Sequence, residues 1–329
     1  MPRINYVQLV CKLGADIPLD QREKALTDVG HLCLNGHPDI RVAITAAGAI
    51  PLLVRLLGPG LSDEVHYNAA AALDALSWNP HNKVAIAATG AVPLLVQLLG
   101  PGSSADVHSN AAGVLGSFAE NAAIAVAIAA AGAIPLLVLL LGPGSTTDAK
   151  THAAGTLADL AVNSESAGTI AAAGAIPALV QLLASSSTSK VHVAAALKKL
   201  AQNAACAATI VSAGAIPLLV QLLGPSSPAS VQEATAGALG DLAAAGCGQG
   251  WNVYILPAAA NAIVKAGAIP LPVQLLGPGS EVHANAAGAL ASIAIFPEHA
   301  ATISASGAIP PLVQLLGSSF DYAAQENAT

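Results

Sequence analysis

One eleven-residue phrase occurs seven times in this chain, and its spacing constrains the fold more than any other feature. The phrase reads GAIPLLVQLLG at 214–224, and near-copies of it begin at Gly48, Gly90, Gly132, Gly174, Gly267 and Gly307. The prolines of successive copies lie 42, 42, 42, 40, 53 and 40 residues apart. A period near 40 residues is typical of helical repeat arrays, in which each unit buries its apolar face only by stacking on its neighbours.

The phase of the phrase predicts how the chain is organised. We expect an all-α fold, an α-solenoid over 1–329 as one elongated domain, although 329 residues would also suit two globular domains. A divergent unit over 1–40 is followed by six repeats and by an incomplete unit over 298–329. The repeats are predicted at about 41–81, 82–123, 124–165, 166–205, 206–260 and 261–297. The 53-residue step indicates roughly eleven extra residues in the fifth repeat, an insert at 246–257.

The repeat at 82–123 shows how each unit is expected to fold. A short first helix over 82–89 ends at Gly90, since glycine commonly follows the last residue of a helix. Pro93 lies in the first turn of a second helix, where its missing N–H does no harm. The Gly-Pro-Gly at 100–102 ends that helix, and a third helix runs to about Glu120. Three residues are able to cap the start of the third helix: Ser103, Ser104 and Asp106.

Composition excludes several classes of function. With 54% hydrophobic and 9% charged residues, the chain is expected to fold rather than to stay disordered. A net charge of −7 and an aromatic content of 3% argue against a nucleic-acid partner, which needs a basic surface or stacking platforms. The sequence contains no GxSxG, no HExxH and no nucleophile–base set. We therefore expect no catalytic residue, no metal, no cofactor and no enzymatic activity.

Cysteine usage and the N-terminus predict the compartment. The four cysteines include no CxxC pair, which is typical of reduced thiols in a cytosolic or nuclear protein. The N-terminal stretch MPRINYVQLVCKLGAD has no apolar run of the kind found in secretory signals. We therefore expect a cytoplasmic and/or nuclear protein.

One segment has the length and composition of a membrane span. Residues Ala122 to Leu141 include no charged or polar side chain, and twenty such residues suffice to cross a bilayer. Gly132 and Pro135 lie inside the segment, however, in phase with the other copies of the phrase. We therefore predict two short buried helices and no membrane insertion.

Two blocks of residues carry a resemblance to a known family. The phrase Gly-Ala-Ile-Pro-Leu-Leu-Val-Gln-Leu-Leu follows a short helix and precedes the pattern Val-x-x-Asn-Ala-Ala-Gly-x-Leu-x-x-Leu-Ala, as at 107–115. The pattern closely resembles the armadillo repeat, in the style found in plants and protists, over nearly the whole chain. The resemblance implies a right-handed superhelix of helix triplets. It also implies a concave groove, lined by the third helices, that binds extended peptides or partner proteins.

Helical geometry predicts which residues line such a groove. At about 100° per residue, positions −4, +3 and +4 share a face with the central leucine of each third helix and form the core. Positions −9, −5, −2 and +2 lie on the opposite side and form one stripe, which lines the groove in the armadillo family. The central residues are Leu73, Leu115, Leu157, Leu197, Leu239 and Leu290, with Val29 in the first unit.

The stripe is polar with small residues, and we predict that it binds the partner, another protein or an extended peptide. Its candidate residues are Asn68, Asn110, His152, His192 and Asn285 at −5, Gly113 and Gly155 at −2, and Ser117, Asp159, Lys199, Asp241 and Ser292 at +2. The small residues at −2 would let a partner approach closely. Acidic residues at −9 and +2 favour a basic partner, and Lys24 and Lys199 weaken that preference.

Two further functions stay open at this point. Nuclear-import adaptors of the armadillo family carry Trp at −2 and Asn at +2, which clamp a basic localisation signal, and this chain has neither row. Asparagine at −5 could replace part of that clamp, or it could hydrogen-bond the backbone of a neighbouring helix. Plant-type arrays often accompany a U-box, so the chain could also be the substrate-binding arm of a ubiquitin ligase, although it contains no U-box.

Histidines of the third helices are expected to have structural roles. The histidines at −7 lie close to the core face, where we expect them to cap or to pack: His66, His108 and His283. His152 and His192 lie on adjacent helices, which are typically about 8–10 Å apart, too far for both to bind one metal ion.

The insert and the C-terminal end each have two interpretations. The insert carries Trp251 and Tyr254, which either form a binding hot spot or fold back over their own repeat. The phase places Asn327 inside an unfinished third helix, and arrays need a polar cap at each end. We therefore expect either a longer array or self-association through the C-terminal end.

Overall fold

The structure, a computed structural model, describes residues 5–185, 190–245, 257–276 and 282–317. These residues form helices and connecting turns, with no strand among them. The chain divides into two compact units, Met1–Asn163 and Ser164–Thr329. Each unit is an all-α solenoid of helix triplets, the fold class that the repeat spacing predicts.

The first unit opens with two helices, α1 (Tyr6–Cys11) and α2 (Leu19–Asn35). Three triplets follow in it: α3 (Pro38–Ala46), α4 (Ala49–Arg55) and α5 (Asp63–Ser77); α6 (Pro80–Ala88), α7 (Ala91–Leu98) and α8 (Ala105–Ala119); α9 (Ala122–Ala130), α10 (Ala133–Leu140) and α11 (Thr147–Leu160).

The second unit repeats the same order. Its helices are α12 (Ser164–Ala172), α13 (Ala175–Ala184) and α14 (Lys190–Ala201); α15 (Ala204–Ser212), α16 (Ala215–Leu222) and α17 (Ala229–Ala244); α18 (Pro257–Lys265), α19 (Pro270–Leu275) and α20 (His283–Ala294); then α21 (Pro297–Ala305) and α22 (Ile309–Gly317).

A left-handed glycine turns the chain between the first and second helix of every triplet. The glycine that opens each of the seven phrases has φ between 75° and 85°, for example 85° at Gly90. A side chain is strained in this region, so the position favours glycine. The chain bends by 85° from α9 to α10 at such a glycine, Gly132. The prediction that Gly90 ends the first helix is confirmed.

Side-chain caps decide where helices begin. The hydroxyls of Ser62, Ser104 and Thr146 accept hydrogen bonds of 3.2–3.4 Å from the N–H three residues later. Ser104 is therefore the cap of α8 among the three candidates. Asn79 accepts from the N–H of His81 at 2.9 Å, so α6 begins just after Asn79, slightly before the repeat bound at 82.

The third helices pack side by side through their central leucines. Helices α2, α5, α8 and α11 form one stack in the first unit, and α14, α17 and α20 form another in the second. The six central leucines and Val29 are at most 1% exposed. Burying one leucine contributes about 1.5–3 kcal/mol, so this row is a main source of stability. The predicted core face is confirmed.

The apolar run from Ala122 to Leu141 forms α9 and α10 with a sharp bend between them. Among the described residues, no single helix is long and apolar enough to cross a membrane. Three pairs of consecutive helices, each with a sharp bend between its members, have the length and composition of a membrane span when they are taken together. The prediction of two short helices is confirmed. The prediction that both are buried is wrong for their outer faces, because Val126 and Leu139 are 50% and 69% exposed. Each of these two helices has one buried side and one exposed side.

Candidate partner-binding site

The predicted stripe lies on the accessible side of the third helices in each unit. His152 and His192 are exposed, and the other ten candidate residues are half-buried. The central leucines of the same helices are buried. A partner on this side could therefore contact the candidate residues, and their role in binding stays a prediction.

The stripe of the first unit contains a concavity of about 550 Å³, which we call the acidic site. Helices α5, α8 and α11 contribute its walls. Its lining residues are Asp63, Glu64, Tyr67, Ser104, Asp106, Val107, Ser109, Asn110, Asp148 and His152. Four of these ten are carboxylates, and all four lie in the first turns of their helices.

The position of the carboxylates has a local cause. The first turn of a helix carries a partial positive charge and unpaired N–H groups, which stabilise acidic side chains by about 0.3–1 kcal/mol each. Asp63 also accepts a 2.9 Å hydrogen bond from the backbone N–H of Ser104, which links α5 to the start of α8. Because three third helices begin side by side, their acidic first turns form one negative surface.

Two of the residues at −5 contact the backbone of the preceding third helix. Asn110 Nδ2 donates to the carbonyl oxygen of Tyr67 at 2.9 Å, and His152 Nδ1 lies 2.9 Å from that of Ser109. Both bonds join residues 43 positions apart, so they repeat with the period of the array. Of the two roles left open for asparagine at −5, the structure shows the backbone bond for Asn110. That bond uses the amide nitrogen and not Oδ1.

The glycines at −2 do not all leave free space on the surface of the stripe. A Cβ at Gly113 would lie 3.5 Å from the His152 ring, and one at Gly237 would lie 2.8 Å from Lys198 Nζ. The expected close approach of a partner is therefore limited at these two positions, because a side chain of the neighbouring helix already fills the space. Spacing along one helix does not reveal this.

In α5, α8 and α17, the residue at −7 ties the third helix to the turn that follows the second helix of the same triplet. His66 Nε2 lies 2.9 Å from the carbonyl oxygen of Gly58, and His108 Nε2 lies 3.0 Å from that of Gly100. The predicted structural role is confirmed for His66 and His108, and for His283 it stays a prediction. In the second unit Gln232 occupies the same position and donates to the carbonyl of Gly224 at 2.9 Å. Sequence reasoning missed Gln232 because it looked for histidine alone.

A charged cluster lies at the other end of the stripe in the first unit. Lys83 Nζ donates to the carbonyl oxygen of Ser117 and to Glu120 Oε2, each at 2.6 Å. Burial raises the pKa of Asp74, while a hydrogen bond from Ser117 and the charge of Lys83 oppose that rise. Asp74 stands at +1, between the core and the stripe, and sequence reasoning did not single it out.

The stripe of the second unit has mixed charge. Asn285 Nδ2 donates to Glu233 Oε1 at 3.3 Å, and Gln202 Nε2 donates to Asp241 Oδ2 at 3.2 Å. Burial raises the pKa of Asp241, and the bond from Gln202 and the charge of Lys198 act in the opposite direction. Basic residues cluster on α14, namely Lys190, His192, Lys198 and Lys199. The described part of the second unit therefore differs in charge from the acidic site of the first unit.

Several predicted features fall outside the described residues. Trp251, Tyr254 and Asn327 lie outside the described residues, so the insert and the C-terminal end stay predictions. Within the described ranges, no group of three or more His, Cys, Asp or Glu side chains is placed to hold a metal ion.

Comparison with known proteins identifies the family. The family model of the armadillo/beta-catenin-like repeat matches residues 79–119 and 203–244. The crystal structure of an engineered protein has 33% sequence identity and a TM-score of 0.86, and the match covers 99% of this chain and 77% of that one. Among curated proteins, no sequence matches this chain. The chain belongs to the armadillo-repeat family.

Designed armadillo repeat proteins have similar structures. One has 28% identity and a TM-score of 0.65, and the match covers 72% of this chain and 99% of that one. Another, solved in complex with the peptide (KR)4, has 26% identity and a TM-score of 0.64, with coverage of 73% and 100%. These matches support the repeat architecture, whereas the likeness to plant and protist repeats stays a prediction.

Proposed function

We propose that this chain is a non-enzymatic scaffold that binds a segment of another protein along the stripe of its third helices. Membership of the armadillo family and the accessible polar stripe support this proposal. Armadillo repeat proteins have been designed for modular peptide recognition, which shows that the fold suits such binding. Since helix backbone groups are already paired within the helices, recognition depends on the side chains of the stripe.

The acidic site is the observation that carries the proposal, and it favours a basic extended segment. Its volume of about 550 Å³ falls within the range of ligand pockets, and four carboxylates line it. A charge pair at 4 Å is worth about 1 kcal/mol in water and about 4 kcal/mol near a protein surface. One of the structural neighbours binds the basic peptide (KR)4, whose charge is complementary to such a site.

Binding of (KR)4 to the full chain, measured by isothermal titration calorimetry, tests the proposal. We expect measurable affinity that falls as salt rises, because screening weakens exposed charge pairs. Asp106→Asn/Asp148→Asn removes two carboxylates of the acidic site, and we expect it to weaken binding about tenfold or more.

The matched control is Asp16→Asn/Asp28→Asn. Both aspartates are exposed, belong to the N-terminal part of the first unit and do not line the acidic site. The control removes the same net charge and should keep nearly the affinity of the native chain. Equal weakening in both variants would show that overall charge, and not this site, attracts the peptide.

A nuclear-import adaptor is the second candidate, and the same acidic site favours it. The absence of Trp at −2 and of Asn at +2 counts against it, and Asn110 already uses its amide nitrogen on Tyr67. An adaptor should prefer a lysine-rich localisation signal to a scrambled peptide of the same composition. Equal affinity for the two peptides would exclude this candidate.

A further inference from the structure

Tyr67 differs in chemistry from the other residues that line the acidic site. No other tyrosine, and no phenylalanine or tryptophan, is among the lining residues. Tyr67 stands at −6 in α5, and the same position of the later third helices holds Ser109, Thr151, Val191, Glu233 and Ala284. The first of these repeats therefore adds to the site an aromatic side chain that the later repeats do not have.

The exposed surface of Tyr67 belongs mainly to its ring. The residue is 45% exposed although its main chain lies within α5. Its carbonyl oxygen accepts the 2.9 Å hydrogen bond from Asn110 Nδ2. Main-chain atoms paired inside a helix contribute little exposed surface, so the exposed part of Tyr67 is its side chain. The acidic site thus offers a ligand an aromatic ring as well as carboxylates.

Two carboxylates precede Tyr67 by one turn of α5. Asp63 and Glu64 lie four and three residues before it, and residues at these spacings are neighbours on a helix surface, with Cβ atoms about 5–6 Å apart. The backbone N–H of Ser104 donates to Asp63 Oδ2 at 2.9 Å, which holds this carboxylate in place. Among the described residues, no lysine, arginine or histidine forms an ion pair with a carboxylate of the acidic site. A cation from a partner would therefore displace no ion pair there.

Elsewhere in the first unit, one guanidinium group contacts an aromatic ring and hydrogen-bond acceptors at the same time. The guanidinium carbon of Arg41 lies 4.9 Å from the centre of the exposed Trp78 ring. Arg41 Nη1 also donates to the carbonyl oxygens of Cys33 and Gly36, at 3.1 and 3.3 Å. A guanidinium group is planar and weakly hydrated, so it stacks on a ring while its N–H groups keep their acceptors. An ammonium group is a compact and strongly hydrated point charge, which is less suited to such a contact.

We propose that Tyr67 is a selectivity residue of the acidic site and makes the site prefer an arginine side chain of the bound segment to a lysine side chain. This inference rests on the proposed function. The guanidinium group would lie against the phenol ring and donate to Asp63 or Glu64. A lysine side chain would still meet the carboxylates, but it would gain less from the ring, because cation–π contacts are formed more often by arginine.

The experiment measures the affinity of the full chain for octa-arginine and for octalysine by isothermal titration calorimetry, at one pH and one ionic strength. The two peptides have the same length and charge, so their nonspecific attraction to the chain is similar. Tyr67→Leu removes the ring and keeps an apolar side chain. We expect it to weaken binding of octa-arginine about two- to fivefold and binding of octalysine less than about 1.5-fold. Tyr67→Phe keeps the ring and should bind both peptides nearly as the native chain does.

The matched control is Trp78→Leu, because Trp78 is an exposed aromatic residue that does not line the acidic site. It should keep the native affinity for both peptides. Equal weakening of both peptides in Tyr67→Leu, or weakening of neither, would overturn the role of Tyr67 and leave the proposed function intact. Absence of binding of either peptide to the native chain would overturn the proposed function and this inference with it.

Discussion

Two glycines of α8, three residues apart, should respond in opposite ways to the same substitution. Replacing glycine by alanine within a helix is stabilising by roughly 0.5–1 kcal/mol through backbone entropy. At Gly113 the new Cβ would meet the His152 ring at 3.5 Å, an ordinary contact. We therefore expect Gly113→Ala to raise the free energy of unfolding by up to about 1 kcal/mol.

At Gly116 the same methyl group would clash with a side chain of the neighbouring helix α11. The Cβ would lie 2.9 Å from Thr156 Oγ1, a buried hydroxyl oxygen 2.8 Å from the carbonyl oxygens of both Ala112 and His152, which share its one hydrogen. Overpacking of this kind costs about 1–3 kcal/mol, which offsets or exceeds the gain in helix propensity. Gly116→Ala should thus be less stable than Gly113→Ala by about 1–3 kcal/mol.

Urea unfolding followed by circular dichroism compares the two variants directly. Both share the same helix, the same substitution and the same gain in propensity, so their difference isolates the contact with the neighbouring helix. Equal stability of the two variants within about 0.5 kcal/mol would refute the packing of α8 against α11 described above.

Two further predictions concern buried titratable groups. Burial raises the pKa of Asp74, so its contribution to stability is present below the unfolded pKa and is lost as pH rises through the folded pKa. Asp74→Asn should therefore raise the urea midpoint at pH 7 and leave it nearly unchanged near pH 3, and equal shifts at both pH values would contradict this. Burial also raises the pKa of Cys33 to about 12, although Arg41 lowers it, whereas Cys11 is exposed. Mass spectrometry after iodoacetamide treatment of the folded protein at pH 8 should find Cys11 modified and Cys33 intact, and equal modification would argue against the burial of Cys33.

The local architecture could be predicted from the sequence because its causes are local. The left-handed turn at Gly90 depends on the missing Cβ of that residue, and the start of α8 depends on the hydroxyl of Ser104. The burial of Leu115 follows from a periodicity of 3.6 residues within one helix. Each of these features involves residues within one turn or one helix, so a single repeat contains all the information that they require.

The acidic site could be predicted only in part. The acidic residues at −9 form a visible row in the sequence, and it indicated the charge of the partner that we propose. Asp63 at −10 and Tyr67 at −6 were not among the candidates, although both line the site. Asp74 at +1 also escaped notice, because helical spacing places it between the core face and the stripe.

What the sequence by itself determined is the repeat, its three helices, their caps and turns, and the side of each third helix that is buried. Only the tertiary structure decided which atoms of neighbouring repeats meet. The bond from Asn110 to Tyr67 and the ring of His152 over Gly113 join residues about 40 positions apart. Their contact depends on how far one third helix is shifted and rotated against the next. Packing of the whole core sets that shift and rotation, and no pattern within a single helix encodes it.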